Sequence, residues 1–220
     1  MEIIKTCVEM CTYAVNFILH LDVHLVEIFQ QYGTLTYAIL FLIVFCETGL
    51  VVTPFLPGDS LLFAAGALAA GSALDIKILL VALFIAPLLG DQVNYWLGRL
   101  VGSKLPFSED ARILKKQYLD KTHSYYEKFG GKTVIIARFV PIVRTFAPFV
   151  AGIGRMHYLK FISFSIAGAL LWVGSFLLGG YYFGNIPFIK KNFTITIMVI
   201  ILISLLPGLI EYMRHRRSKS

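Results

Sequence analysis

R-F-V-P-I-V-R, from Arg138 to Arg144, and P-F-L-P-G-D, from Pro54 to Asp59 with Glu47 shortly before it, each break an apolar stretch in its middle with proline and charge. At the centre of a membrane helix a single Asp, Lys or Arg costs about 2.5 to 3.5 kcal/mol on insertion scales, against a whole-fold stability of about 5 to 15 kcal/mol. Left unpaired, these four charges threaten the fold. One break carries carboxylates and the other guanidiniums, so the simplest physical reading is that they meet, or line a wet cavity, inside an all-α integral membrane protein.

Composition agrees. The chain is 57% hydrophobic and 15% charged, where soluble domains carry about 25% charged residues, and its mean hydropathy is +0.75. Phe193 to Ile210 runs 18 residues without a charge between Lys190, Lys191 and the basic tail, the pattern of a simple span; we place the C-terminal transmembrane helix over residues 190–213. The whole of 1–220 is read as one membrane domain, with no separate soluble unit. The net charge of +7 and the R-H-R-R-S-K tail are better explained by cytoplasmic orientation of a span than by nucleic acid. Cys7, Cys11 and Cys46 form no C-x-x-C and have no histidine at metal spacing, so no metal or cofactor is called for. The N-terminus lacks the pattern of a cleaved signal peptide and is expected to stay on the mature protein.

Topology follows from basic residues. Eight lie between Arg99 and Lys132 and four beyond Ile210, and both clusters are expected in the cytoplasm. Two full crossings plus one hairpin returning to its own side satisfy this; three crossings do not. The Arg138 to Arg144 segment is therefore read as a re-entrant hairpin from the cytoplasm. By the same logic Ile76 to Leu97 is a crossing, and the Pro54 to Asp59 break is a second re-entrant hairpin from the outer face.

Three spacings point to internal duplication. F-x-P recurs at Phe55 to Pro57 and Phe139 to Pro141, offset 84; Gly98 and Gly102 recur as Gly180 and Gly184, offset 82; aromatic-x-x-aromatic-Gly recurs at Phe29, Tyr32, Gly33 and Tyr126, Phe129, Gly130, offset 97. Residues 34–102 are read as a first repeat and 131–186 as a second, in opposite orientation, each a re-entrant hairpin plus a transmembrane helix. Inverted repeats with broken helices are the mark of secondary transporters. Residues 103–130 read as a cytoplasmic amphipathic loop and 1–33 as an amphipathic N-terminal helix, whose side of the membrane stays open.

Pro57 and Gly58 are taken to form the first hairpin, Pro141 and Pro148 the second. That leaves Asp59 at the start of a returning helix, where exposed N–H groups favour a carboxylate; the alternative is that Asp59 and Ser60 only cap that helix. Glu47, deep in an apolar run, is read as functional or paired. Arg138 and Arg144 stay charged at physiological pH and offer planar forks suited to phosphate or carboxylate; their alternative role is purely structural pairing with the acids. Asp91 and Asn94, one turn apart, are candidates for the cavity wall or for a simple polar helix contact. Arg99 and Lys104 are read as snorkelling to the interface.

Beyond these residues, F-C-E-T-G from Phe45, P-F-L-P-G-D-S-L-L from Pro54, G-D-x-x-N-Y-x-x-G-R from Gly90, R-F-V-P-I-V-R-T-F-A-P-F-V-A-G from Arg138 and G-A-L-L-W-V from Gly168 together resemble the DedA family, related to the eukaryotic SNARE-associated (VTT-domain) membrane proteins. The resemblance covers about residues 15 to 215. It implies a bacterial inner-membrane protein with two opposed re-entrant loops, acting in transbilayer movement of lipids such as undecaprenyl phosphate or phosphatidylethanolamine, with links to the proton motive force. It also implies a required acidic pair and arginine pair, which fall here on Glu47, Asp59, Arg138 and Arg144.

The function expected is a flippase or scramblase for a phosphate-bearing lipid. Its partners are then membrane lipids, with protons as candidate coupling ions. Burial raises a carboxylate pKa and neighbouring arginines lower it, which leaves both acids as candidates for the proton. The competing transport reading is a proton-coupled exporter of ions or small cationic compounds. An enzyme acting on lipid phosphates is disfavoured, because His20, His24, His123, His157 and His215 all lie outside the two hairpin motifs. The transported species, its direction and the oligomeric state are not encoded in any motif.

Overall fold

The computed structural model describes residues 21–49, 58–71, 74–104, 132–193, 195–200 and 202, with 21–26, 103, 104, 132, 141 and 142 as backbone only. Every regular element among them is helical. In chain order these are α1 (Leu21–Tyr32), α2 (Leu35–Gly49), α3 (Gly58–Ala70), α4 (Ile76–Lys104), α5 (Lys132–Ala137), α6 (Pro141–Ile153), α7 (Tyr158–Val173), a π-helical turn (Gly174–Leu178), α8 (Gly179–Phe183) and α9 (Pro187–Lys191). Residues 195–200 are helical as well. Residues 105–130 of the expected amphipathic loop, 1–20 of the expected N-terminal helix, most of the C-terminal span at 190–213, and Pro57 lie outside the described residues; 103 and 104 continue α4.

Length separates two kinds of helix. Ile76–Gly102 and Tyr158–Phe183, of 27 and 26 residues, are long and apolar enough to cross a membrane, at about 1.5 Å per residue against a hydrocarbon core of about 30 Å. By contrast α2, α3 and α6 have 15, 13 and 13 residues, or about 20 Å each, too short to span that core alone.

The break before α6 has a local cause. The residue ahead of a proline is pushed out of the helical region, and Val140 is extended (φ −113°, ψ 107°) with Pro141 entering as the first residue of α6. The end of α5 tightens into three-residue bonds, Arg138 N–H to Ile135 O and Phe139 N–H to Ile136 O. Pro148 sits inside α6 rather than at a break. The turn is therefore made by residues 138–140, and the expectation that Pro148 helps form it is corrected. Gly58 is the first residue of α3.

Polarity is distributed inside out. Glu47, Asp59, Asp91, Asn94, Arg138 and Arg144 are buried, while Leu42, Val81, Leu170, Leu171 and Phe183 are each more than half exposed. A chain solvated by lipid has reason to do this; one solvated by water does not.

Close packing repeats between the two halves. Helix α4 packs mainly on α2 and α6, and the α7-to-α8 helix mainly on α5 and α3, so each long helix joins the first arm of its own half to the second arm of the other. A Cβ added at Gly66 in α3 would stand 2.1 Å from Leu177 O, and one at Gly152 in α6 would stand 2.1 Å from Tyr95 O. Reciprocally, Gly180 and Gly184 meet Phe63 and Ala67, as Gly98 and Gly102 meet Phe149 and Ile153. Where apolar burial gives helices no preference over lipid, small residues that let backbones touch supply the association.

Candidate functional site

The site forms where the ends of α2 and α6 and the start of α3 converge on the long helices. Glu47 lies in the last turn of α2, and its Oε1 accepts from the Gly58 N–H at 3.1 Å, satisfying one of the orphan donors at the start of α3. A side chain at Gly58 would stand 1.9 Å from Glu47 Oε2, so only glycine admits this approach. Asp59 follows in the first turn of α3, where the helix dipole favours a carboxylate.

Arg144 bridges both acids. Its Nη1 donates to Asp59 Oδ1 at 2.7 Å and its Nη2 donates to Glu47 Oε1. Trp172 completes this arrangement from α7: its indole N–H donates to the same Asp59 oxygen at 2.8 Å, and the Arg144 guanidinium lies 5.0 Å from its ring centroid, a cation–π contact strengthened by burial.

Arg138 pairs elsewhere. Its Nη2 donates to Asp91 Oδ2 on α4, and Ser165 Oγ on α7 donates to that same oxygen. One turn along α4, Asn94 Nδ2 donates to Thr48 O and, at 3.2 Å, to Thr145 O. Thr48 is among the last residues of α2, whose carbonyls have no partner within the helix. Asn94 thus caps one broken helix while holding the other.

Of the residues singled out from sequence, Glu47, Asp59 and Arg144 come together, and Arg138 lies with Asp91 and Asn94 alongside. The sequence led to the expectation that the charges of the two breaks meet or line one wet cavity; Arg144 meets Glu47 and Asp59, whereas Arg138 is held by Asp91 on the long helix α4. Trp172 and Ser165 were not singled out as site residues. Trp172 stands in the G-A-L-L-W-V motif and is one of two tryptophans in the chain, which was a usable signal, whereas a serine in a membrane helix is too common to flag.

Two features define what the cluster can do. It gathers three buried carboxylates and two buried guanidiniums, one negative charge in excess when all are ionised, so one proton would balance it. It also keeps unused hydrogen-bonding capacity: Arg138 Nη1, Arg144 Nε, Glu47 Oε2 and Ser60 Oγ are buried with no partner among the described residues. Buried polar atoms without a partner are costly, so these four are the cluster's free hydrogen-bonding positions.

Comparison with known proteins places this chain in a family. The VTT domain model matches residues 56–182. The chain is 56% identical over 212 residues to Protein DedA of Escherichia coli (strain K12), covering 96% of this chain and 97% of that one. It is 43% identical over 180 residues, 81% and 79% of the two chains, to an uncharacterized membrane protein of Mycobacterium tuberculosis. It is 35% identical over 155 residues, 70% of each chain, to Inner membrane protein YqjA of Escherichia coli (strain K12). No solved structure matches. The chain belongs to the DedA family of VTT-domain membrane proteins.

Proposed function

We propose that this DedA-family membrane protein moves a phosphate-bearing lipid, such as undecaprenyl phosphate or a phospholipid, across the bacterial inner membrane. The observation that carries this reading is the pair of buried guanidiniums whose Arg138 Nη1 and Arg144 Nε have no partner among the described residues. A phosphate offers several acceptor oxygens and a charge matched to the planar fork.

A headgroup reaching these donors competes with Glu47 and Asp59 for Arg144. An acid released from its guanidinium, in a cluster already negative in excess, takes up a proton, so headgroup entry and protonation favour each other. That coupling is the physical route by which a proton gradient would drive or bias the flux. The reciprocal packing of the two halves supports reading them as opposed repeats, each long helix bearing on the second arm of the other half. Alternate opening to each face then follows from rocking one half against the other. No hydrolytic step is involved.

The test is flipping of a headgroup-labelled phosphate lipid in proteoliposomes by wild type, Arg138→Met and Arg144→Met, with efflux of a cationic dye and release of phosphate measured in parallel. Loss of lipid movement in the arginine variants supports the reading. Dye efflux or phosphate release without lipid movement replaces it.

A further inference from the structure

A group of arginine and aromatic side chains stands at the end of α4 and α6, apart from the buried charges. Arg155 ends α6 in the left-handed region, at φ 53°. Its N–H bonds to Gly152 O at 3.1 Å and the Met156 N–H to Ala151 O at 3.0 Å, the helix-ending arrangement in which glycine usually takes this place. An L side chain here strains the backbone, and Arg155 is exposed, so burial does not repay that strain.

Its surroundings supply a reason. Tyr95 OH donates to Met156 O at 2.6 Å and accepts from Arg99 Nη1 at 2.9 Å, which brings the Arg99 guanidinium beside the Arg155 turn. Arg99 lies 6.0 Å from the Trp96 ring centroid. Trp96 and Tyr158, 53% and 37% exposed, have ring centroids 5.8 Å apart. Arg99 on an exposed indole that packs on a phenol, with exposed Arg155 on the turn that Tyr95 holds through Met156 O, matches the chemistry of the headgroup layer.

We propose that Arg99, Arg155, Trp96 and Tyr158 form a peripheral site for the anionic headgroup of a bilayer phospholipid, with the guanidiniums on the phosphate and the aromatic rings at headgroup depth. The site does not depend on the transport reading. It is tested at equilibrium with no flipping involved, by quenching of Trp96 fluorescence in proteoliposomes carrying brominated phosphatidylglycerol or, at equal mole fraction, brominated phosphatidylcholine; Trp172 is fully buried.

Wild type is expected to be quenched more by the anionic lipid. Arg155→Gly lowers that preference about fivefold, the worth of one basic residue at an anionic surface, while keeping or raising the melting temperature, because glycine fits the turn. Arg155→Lys keeps most of the preference. Equal quenching by the two lipids in wild type, or an unchanged preference in Arg155→Gly, overturns the proposal.

Discussion

Arg144 and Asp59 stand 85 residues apart in the chain and are joined by a 2.7 Å hydrogen bond in the fold, tying the second broken helix to the first. Arg144→Met removes the cation from two buried acids, and breaking a buried pair from one side costs about 3–5 kcal/mol. Adding Glu47→Gln and Asp59→Asn to that variant removes the stranded charges and should recover much of the loss. Thermal unfolding of purified protein in detergent measures both steps. A triple variant no more stable than Arg144→Met counts against a shared ion cluster.

Trp172 contributes a face to Arg144 and an N–H to Asp59. Trp172→Phe keeps the face and loses the donor, so it should cost about 1.5–3 kcal/mol, the range for a hydrogen bond to a charged group. Trp172→Leu loses both and should unfold at a lower temperature still. Equal melting of the two variants would show that the ring face contributes nothing.

Asn94 is predicted to hold two helices through one amide. Asn94→Leu keeps the volume but leaves buried carbonyls at Thr48 and Thr145 without that donor, which should cost about 1–3 kcal/mol. Val93→Leu, one residue away on an outward-facing position, should leave the unfolding midpoint unchanged.

The reciprocal glycine contacts give a symmetric prediction. Gly66→Ala and Gly152→Ala each press a methyl group against a backbone carbonyl 2.1 Å away, and both should destabilise by about 1–3 kcal/mol or more, as overpacked cores do. Gly179→Ala meets nothing within 4 Å and should stabilise by about 1 kcal/mol through helix propensity. Unequal effects at Gly66 and Gly152, with one tolerated, would break the correspondence between the halves.

Much of this site was legible because membrane burial makes charge expensive. Glu47, Asp59, Arg138 and Arg144 stand out in an apolar chain, and the glycines spaced at offset 82 make corresponding contacts in the fold, though the spacing alone named no partners. Partner choice was less legible: which carboxylate holds Arg138 depends on how α4 packs, and no spacing encodes that. Pro148 misled for a related reason, since a proline inside a helix and one at its first position look alike in sequence, and only the extended Val140 ahead of Pro141 marks the break. The strain at Arg155 was invisible, because φ follows from how a helix ends rather than from residue type.

The central claim is that the buried guanidiniums bind the phosphate of the moving lipid. Its most direct test is the flipping rate of a headgroup-labelled phosphate lipid in proteoliposomes containing Arg138→Met or Arg144→Met protein, each first shown to be folded. The account predicts at least about a tenfold loss in both, the worth of about 1.4 kcal/mol of lost headgroup interaction. Wild-type rates in both folded variants would contradict it.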